Sequence, residues 1–323
     1  MRLKLKIRRC DPMKTGACSP FLQAYDVEAE EGMTVLEALI SIAETDDPSL
    51  SFRRSCRSAI CGSCAVTVNG FPKLACNTQI IPEHRKRGQL VLEPLANHRV
   101  LKDLIVDMDP FWRKFEKTTP FLIPKEEPEG GWKITGEDQA VIDDSQKCIM
   151  CGSCNAACNT LDVDPGFVGP AASAKAWRFV GDVREADGER RLKDLSAEHG
   201  VWDCVRCMHC TEYCPKGVDP LKAIEQLRSR AMGAGIVDNH GAKHTLAMAE
   251  SIKRVGRLDE AAMTFKTLGI LRSLGMIPFG LKMEIHGKMP HPIIFPAIEK
   301  MEEVKKIYEA VEEKRKKERG GEG

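Results

Sequence analysis

At the start of the chain apolar and polar positions alternate. Leu3, Leu5 and Ile7 fall between Arg2, Lys4, Lys6 and Arg8, the period of two that a half-buried strand requires. A second strand is predicted through Phe21 to Val27. The period then becomes helical: Val35, Leu36, Leu39, Ile40 and Ala43 recur on one face, Thr34 stands where an N-cap belongs, and Asp46-Asp47-Pro48 ends the run. Ala65 to Val68 and Gln89 to Leu92 read as further strands, with Asn69-Gly70 a favoured hairpin turn. From about Phe111 a polar connector punctuated by Pro120, Pro124, Pro128, Gly130 and Gly131 marks a boundary. Beyond it the patterning is helical without strand alternation. Helix-like stretches run from Gly241 to Leu258 and from Pro296 to Lys317, and Lys314 to Gly323 reads as a solvated charged tail.

The 323 residues allow about two domains or more, and a 42% hydrophobic share is ample for buried cores. Lys and Arg number 48 against 47 Asp and Glu, a balance that argues against nucleic-acid binding. No apolar run approaches the roughly 20 residues needed to cross a bilayer. The nearest, Leu268 to Leu281, is short and interrupted by Arg272. No signal peptide is expected, because Met1 leads straight into strand alternation and Arg8-Arg9 is followed by Cys10-Asp11 rather than an apolar region.

The chain has 14 cysteines, and all but Cys10 and Cys18 fall into three tight groups. A long chain without a secretory signal is expected to keep its thiols reduced, so the grouping points to metal and leaves Cys10 and Cys18 as ordinary thiols. Cys56-x4-Cys61-x2-Cys64, with Cys76 further on, is the plant-type spacing for a [2Fe–2S] cluster. Gly62 and Ser63 suit backbone that must lie close to sulfide. The competing chemistry, structural zinc, prefers two CxxC halves. Cys148-x2-Cys151-x2-Cys154-x3-Cys158 and Cys204-x2-Cys207-x2-Cys210-x3-Cys214-Pro215 repeat the bacterial spacing for cubane clusters. In that arrangement the fourth cysteine of each run serves the other cluster. The proximal [4Fe–4S] site is therefore expected to use Cys148, Cys151, Cys154 and Cys214, and the distal site Cys158, Cys204, Cys207 and Cys210, preferring [4Fe–4S] over [3Fe–4S] because Cys207 supplies a fourth thiolate. His209, between two of these ligands, is read as facing solvent or a partner, and Phe167, Trp177, Phe179 and Trp202 as core. No dinucleotide fingerprint, phosphate loop, Ser/His/Asp arrangement or carboxylate pair stands out.

The stretches Ser51-Phe52-Arg53-Arg54-Ser55-Cys56-Arg57, Ile60-Cys61-Gly62-Ser63-Cys64, Leu74-Ala75-Cys76, Leu104 to Met108, Phe167-Val168-Gly169-Pro170 and Cys214-Pro215-Lys216-Gly217 resemble the iron–sulfur subunit of the succinate dehydrogenase / fumarate reductase family over about the first 235 residues. The resemblance implies an α+β chain. Residues 1–108 would form a β-grasp [2Fe–2S] ferredoxin domain, 109–235 an α-helical two-cluster domain and 236–323 a helical extension. It also implies an electron-transfer subunit with no substrate site. Its partners would be an FAD flavoprotein carrying the dicarboxylate site and a membrane-anchor or cysteine-rich subunit. It would sit as a peripheral protein on the cytoplasmic face of a prokaryotic inner membrane. Two departures stand out: Cys207 occupies a place usually not cysteine, and Val205 and Thr160-Leu161-Asp162-Val163 stand where members tend to carry a quinone-side His and Trp. With the C-terminal region, these features resemble the non-classical branch and heterodisulfide-reductase-like subunits. A heterodisulfide-reductase-like or thiol:fumarate reductase complex is therefore the alternative reading.

Overall fold

The structure is a computed structural model describing residues 1–12, 18–288 and 297–320, with side chains described as far as 314. The described chain divides into two compact units, Met1–Ala234 and Gly235–Gly323.

The first unit opens with a five-stranded mixed sheet. Strand β1 (Arg2–Arg9) pairs antiparallel with β2 (Phe21–Glu28) from Arg2↔Glu28 to Arg9↔Phe21. Strand β3 (Ala65–Val68) pairs antiparallel with β4 (Phe71–Leu74) and with β5 (Leu90–Glu93), and β5 joins β1 in parallel, giving the order β2-β1-β5-β3-β4. The turn between β3 and β4 is Asn69-Gly70, with φ of 51° and 86°, the doubly left-handed geometry that matches strand twist. Helix α1 (Val35–Thr45) begins in a capping box: the Thr34 hydroxyl accepts from the Glu37 amide, and the Glu37 carboxylate accepts from the Thr34 amide. Its Val35, Leu36, Leu39 and Ile42 join Leu3, Leu5, Ile7, Leu90 and Leu92 in one core. A 3-10 turn (Ala75–Asn77), helix α2 (Ile80–Arg87) and a short ribbon of β6 (Val100–Lys102) and β7 (Ile105–Val106) complete this part.

The rest of the unit is helical: α3 (Asp109–Lys117), α4 (Gly136–Gln146), α5 (Ser153–Ala156), α6 (Asn159–Val163), α7 (Pro170–Val180), α8 (Gly188–Leu195), α9 (His209–Glu212) and α10 (Pro220–Gly233). Helix α7 is central, with Ala171, Ala172, Ala174, Ala176, Trp177, Phe179 and Val180 all buried. The second unit comprises α11 (His240–Val255), α12 (Glu260–Leu268), α13 (Ile270–Gly275), α14 (Ile277–Ile285) and α15 (Met301–Gly320). The apolar stretch Leu268 to Leu281 is thus broken across helices. The stretch expected as a solvated tail is helical as far as Gly320. Pro296, where the sequence pattern begins this helix, and residues 321–323 lie outside the described residues.

Two features depart from expectation or escape it. Cys10 and Cys18 are joined as a disulfide, with a Cα–Cα distance of 5.3 Å, rather than standing as separate thiols. The return of β1 into antiparallel β2 brings both ends of the connection within disulfide reach. The other is Arg9, only 5% exposed, whose guanidinium donates to Asp103 Oδ1 at 2.9 Å, Asp47 Oδ2 at 2.5 Å, Gln23 Oε1 at 2.9 Å and Ser49 Oγ at 3.0 Å. Asp103 also accepts from the amides of Cys10 and Ser51, so one buried ion pair ties β1 to three other segments.

Breaking this pair strands Asp103, which is 1% exposed. Arg9→Met should therefore cost about 3–5 kcal/mol in chemical denaturation. Hydrogen bonding, first from Ser49 and also from Tyr25 and Arg9, holds Asp47 well below the usual carboxylate range, and Arg184 with Arg178 does the same for Asp182. A carboxylate with a depressed folded pKa contributes stability above its unfolded pKa, and that stability is lost as pH falls toward the folded value. The urea midpoint should therefore hold from neutrality to about pH 5 and drop below about pH 4. A midpoint insensitive to acid would contradict this.

Candidate metal centres

Thiols that must converge from several directions are carried here mostly on irregular backbone, with Cys154 and Cys210 in the single helical turns α5 and α9. In the first group the loop from Cys56 to Cys64 turns through left-handed residues at Arg57 (φ 57°), Ala59 (φ 55°) and Gly62 (φ 73°). These turns point amides inward. Cys56 Sγ accepts from the N–H groups of Ser58, Ile60 and Cys61 at 3.4, 3.4 and 3.3 Å, and Cys76 Sγ, from the 3-10 turn, accepts from Ala59 N at 3.3 Å. The Ser63 hydroxyl lies 3.3 Å from Cys61 Sγ and lowers that thiol to about 6. Cys64 is buried in the sheet core, and desolvation pushes it up to about 12. Amide donors to sulfur and left-handed turns at the loop fit a thiolate-ligated iron–sulfur site.

The second and third groups repeat in backbone as well as in sequence. Met150 and Arg206, each two residues after the first cysteine, have φ of 54° and 57°. Gly152 and Met208, the N-caps of α5 and α9, have φ of 81° and 69°. Cys148, Cys151, Cys154 and Cys214 line one small cavity together with Ala171 and Ala174 of α7, whose short side chains leave it room. The first three thiols are pushed up, chiefly by burial. A bound metal would displace their protons.

Cys158, Cys204, Cys207 and Cys210 form a second neighbourhood. Burial raises Cys158, as do the charges of Cys204 and Cys207, and Cys210 is pushed up to about 12 by burial and by the other three. Each expected thiol set is thus brought together. His209 is half-buried and packs on Tyr213, with ring centroids 5.8 Å apart. Phe167, Trp177 and Phe179 are core.

Two contributions are not visible as motifs. Arg228 of α10 is 6% exposed and donates to the Cys204 carbonyl at 2.7 Å and the Val201 carbonyl at 2.6 Å, placing a buried cation behind the distal thiols. It lies on a helix beyond the last cysteine, where only the spacing of a long basic residue on a buried face could have signalled it. The other is close approach: a Cβ on Gly62 would stand 2.7 Å from Cys151 Cβ, so the first loop and the second run touch at this glycine. The Asn97 side chain adds donors to the Asn155 and Cys158 carbonyls, both at 2.9 Å. Val205 and Met208, next to distal thiols in the chain, are 65% and 60% exposed, and Val163, at the end of α6 after Cys158, is 85% exposed.

Residues 4–113 match the family described as 2Fe-2S iron-sulfur cluster binding domain, and residues 144–218 the family described as 4Fe-4S dicluster domain. The chain is 35% identical to the 8-methylmenaquinol:fumarate reductase iron-sulfur subunit of Wolinella succinogenes, over 83% of this chain and 85% of that one. It is 36% identical to the fumarate reductase iron-sulfur subunit of Mycobacterium tuberculosis, over 71% of this chain and 93% of that one. Among solved structures, a chain of the Mycobacterium smegmatis Sdh1 complex in the apo form superposes with a TM-score of 0.59 at 24% identity, covering 71% of this chain and 96% of that chain. That last likeness concerns fold: a mixed-sheet ferredoxin-like part followed by a helical part.

The contact at Gly62 gives a direct test. Gly62→Ala sets a Cβ against Cys151 in a left-handed conformation, and should cost about 1–3 kcal/mol. Visible absorption and iron content should fall with it. A variant with wild-type melting and full iron would show that the two loops separate freely.

Proposed function

The chain belongs to the family of iron–sulfur subunits of succinate dehydrogenase and fumarate reductase, and from that premise we propose that it relays electrons between an FAD flavoprotein subunit and a membrane-side partner. The carrying observation is the gathering of twelve cysteines into three sites within one compact unit. When bound, a [2Fe–2S] and two cubane-type clusters supply one-electron carriers. The residues of this chain hold, insulate and bias those carriers. Cys56, Cys61, Cys64 and Cys76 hold the first; Cys148, Cys151, Cys154 and Cys214 the proximal [4Fe–4S]; Cys158, Cys204, Cys207 and Cys210 the distal one. The domain division 1–108, 109–235 and 236–323 follows the same assignment.

The exposed loop around Ile60, which is 65% exposed, suits docking to the flavoprotein, and the apolar rim of Val163, Val205 and Met208 suits the other partner. The quinol in the Wolinella relative's name supports a quinol or quinone on the membrane side. A thiol-using, heterodisulfide-reductase-like partner is the second reading. It is favoured by Cys207 and by Val205 standing at the usual quinone-side histidine position. Arg228 biases the distal carrier: a buried positive charge favours the more negative, reduced state. On this reading the chain carries no substrate site, and dicarboxylate chemistry falls to the flavoprotein.

Four outcomes are expected. Purified anaerobically, the chain should be brown and carry about ten irons, from one two-iron and two four-iron clusters; stoichiometric zinc in a colourless protein would end the reading. Cys207→Ser should create an oxidised three-iron EPR signal without altering the [2Fe–2S] spectrum, and that signal at full stoichiometry in strictly anaerobic wild type would exclude a distal [4Fe–4S]. Arg228→Met should lower the distal midpoint potential in a redox titration. The isolated chain should not reduce a dye with succinate.

A further inference from the structure

The second unit buries few of its apolar side chains. Among its described residues only Ala242, Ala247, Val255 and Met301 are buried hydrophobics. By contrast Phe265, Ile270, Leu271, Leu274, Met276, Ile277, Phe279, Leu281 and Ile285 are exposed, Leu271 at 87% and Ile285 at 81%. Helices α12 and α14 bury no residue at all, and between α12, α13 and α14 lies a groove of about 430 Å³ lined mainly by apolar side chains. Single exposed apolar residues need no explanation, but a contiguous patch of this kind marks a contact surface.

We propose that residues 263–288 dock this subunit directly onto a bilayer surface bearing anionic headgroups. Charge decides between a lipid and another occupant. Lys266, Arg272, Lys282 and Lys288 are interleaved with the apolar residues, against Glu284 within the segment and Glu260 at the head of the groove. Among the described residues Lys266 pairs with Glu250, while Arg272, Lys282 and Lys288 have no ion pair and are exposed. Long basic side chains beside buried apolar ones can lay their stems along hydrocarbon and their charges among phosphates. Along α14 the exposed Ile277, Leu281 and Ile285 recur every four residues and so share one face, an apolar stripe that suits shallow insertion into a fluid surface. No helix among the described residues is long and apolar enough to cross a membrane, so the contact is interfacial. This surface carries none of the clustered cysteines, so its failure would leave the electron relay standing.

The test is flotation of the full, cluster-loaded chain with vesicles. Wild type should float with equimolar phosphatidylglycerol and phosphatidylcholine, weakly with phosphatidylcholine alone, and less as salt rises. Arg272→Glu with Lys282→Glu should lower partition by roughly tenfold or more. Leu271→Asp with Phe279→Asp should lower it at least as far, with visible spectrum and melting unchanged. Because all four positions are exposed, the charge pair keeps the test open if the apolar pair misfolds. Failure of wild type to float, flotation of both double variants equal to that of wild type, or a dimer broken by Leu271→Asp without vesicle binding would overturn the proposal.

Discussion

Convergence of thiols from distant segments is the constraint on which the first unit depends. Cys214 comes from beyond the second run, yet lines the same cavity as Cys148, Cys151 and Cys154. The chain must therefore leave a run, build α7 and α8, and return before the last sulfur is in place. Left-handed non-glycine residues at Arg57, Ala59, Met150, Arg206 and Met208 accompany that convergence, at about 1–2 kcal/mol each. What compensates is adjacent packing. Cys64 belongs to the sheet core, while Cys76, Ile149 and Cys151 pack against it, so one apolar cluster supports loops from both sequence regions.

Much of this was legible in the residues. Alternation located β1 and β2, the Thr34 and Glu37 spacing located the start of α1, and Asn69-Gly70 named its own turn. Cysteine spacing located every thiol group, because ligand geometry writes itself into intervals of two, three and four residues. The family resemblance, and not the spacing, is what linked those groups to a dehydrogenase or reductase complex. What was not legible is relational. Arg9 with Asp103 and Arg228 with the Cys204 carbonyl join positions whose separation has no period, and neither side chain looks unusual in its local sequence. Gly62 was readable as backbone near sulfide, but its second duty against Cys151 required both loops in place. The nearness of Cys10 to Cys18 is set by the return of β1 into β2, which no cysteine interval reveals.

The two units use apolar residues in opposite ways. In the first, Leu5, Ile7, Val35, Leu92 and their neighbours are sealed inside, and polar groups such as Arg9 enter only with partners. In the second, hydrogen-bonded ends do much of the local ordering: Asn239 and Asp259 cap α11 and α12, and Ser251 accepts from the Asp259 amide while donating to the Arg257 carbonyl. Capping can fix helix ends without a large core. Apolar side chains are thereby left on the surface.

The backbone identity of the two cysteine runs has an evolutionary consequence. Each run is a short rigid cassette, with left-handed turns ahead of a single helical turn, so inserting or deleting one residue inside it would rotate a sulfur out of place. Between Cys158 and Cys204 the requirement is looser, since α7 must present Ala171 and Ala174 to the cavity while the polar surface of α8 faces no such demand. Drift in length should therefore concentrate between the cassettes and vanish within them. Two such cassettes can thus differ in almost everything except their intervals.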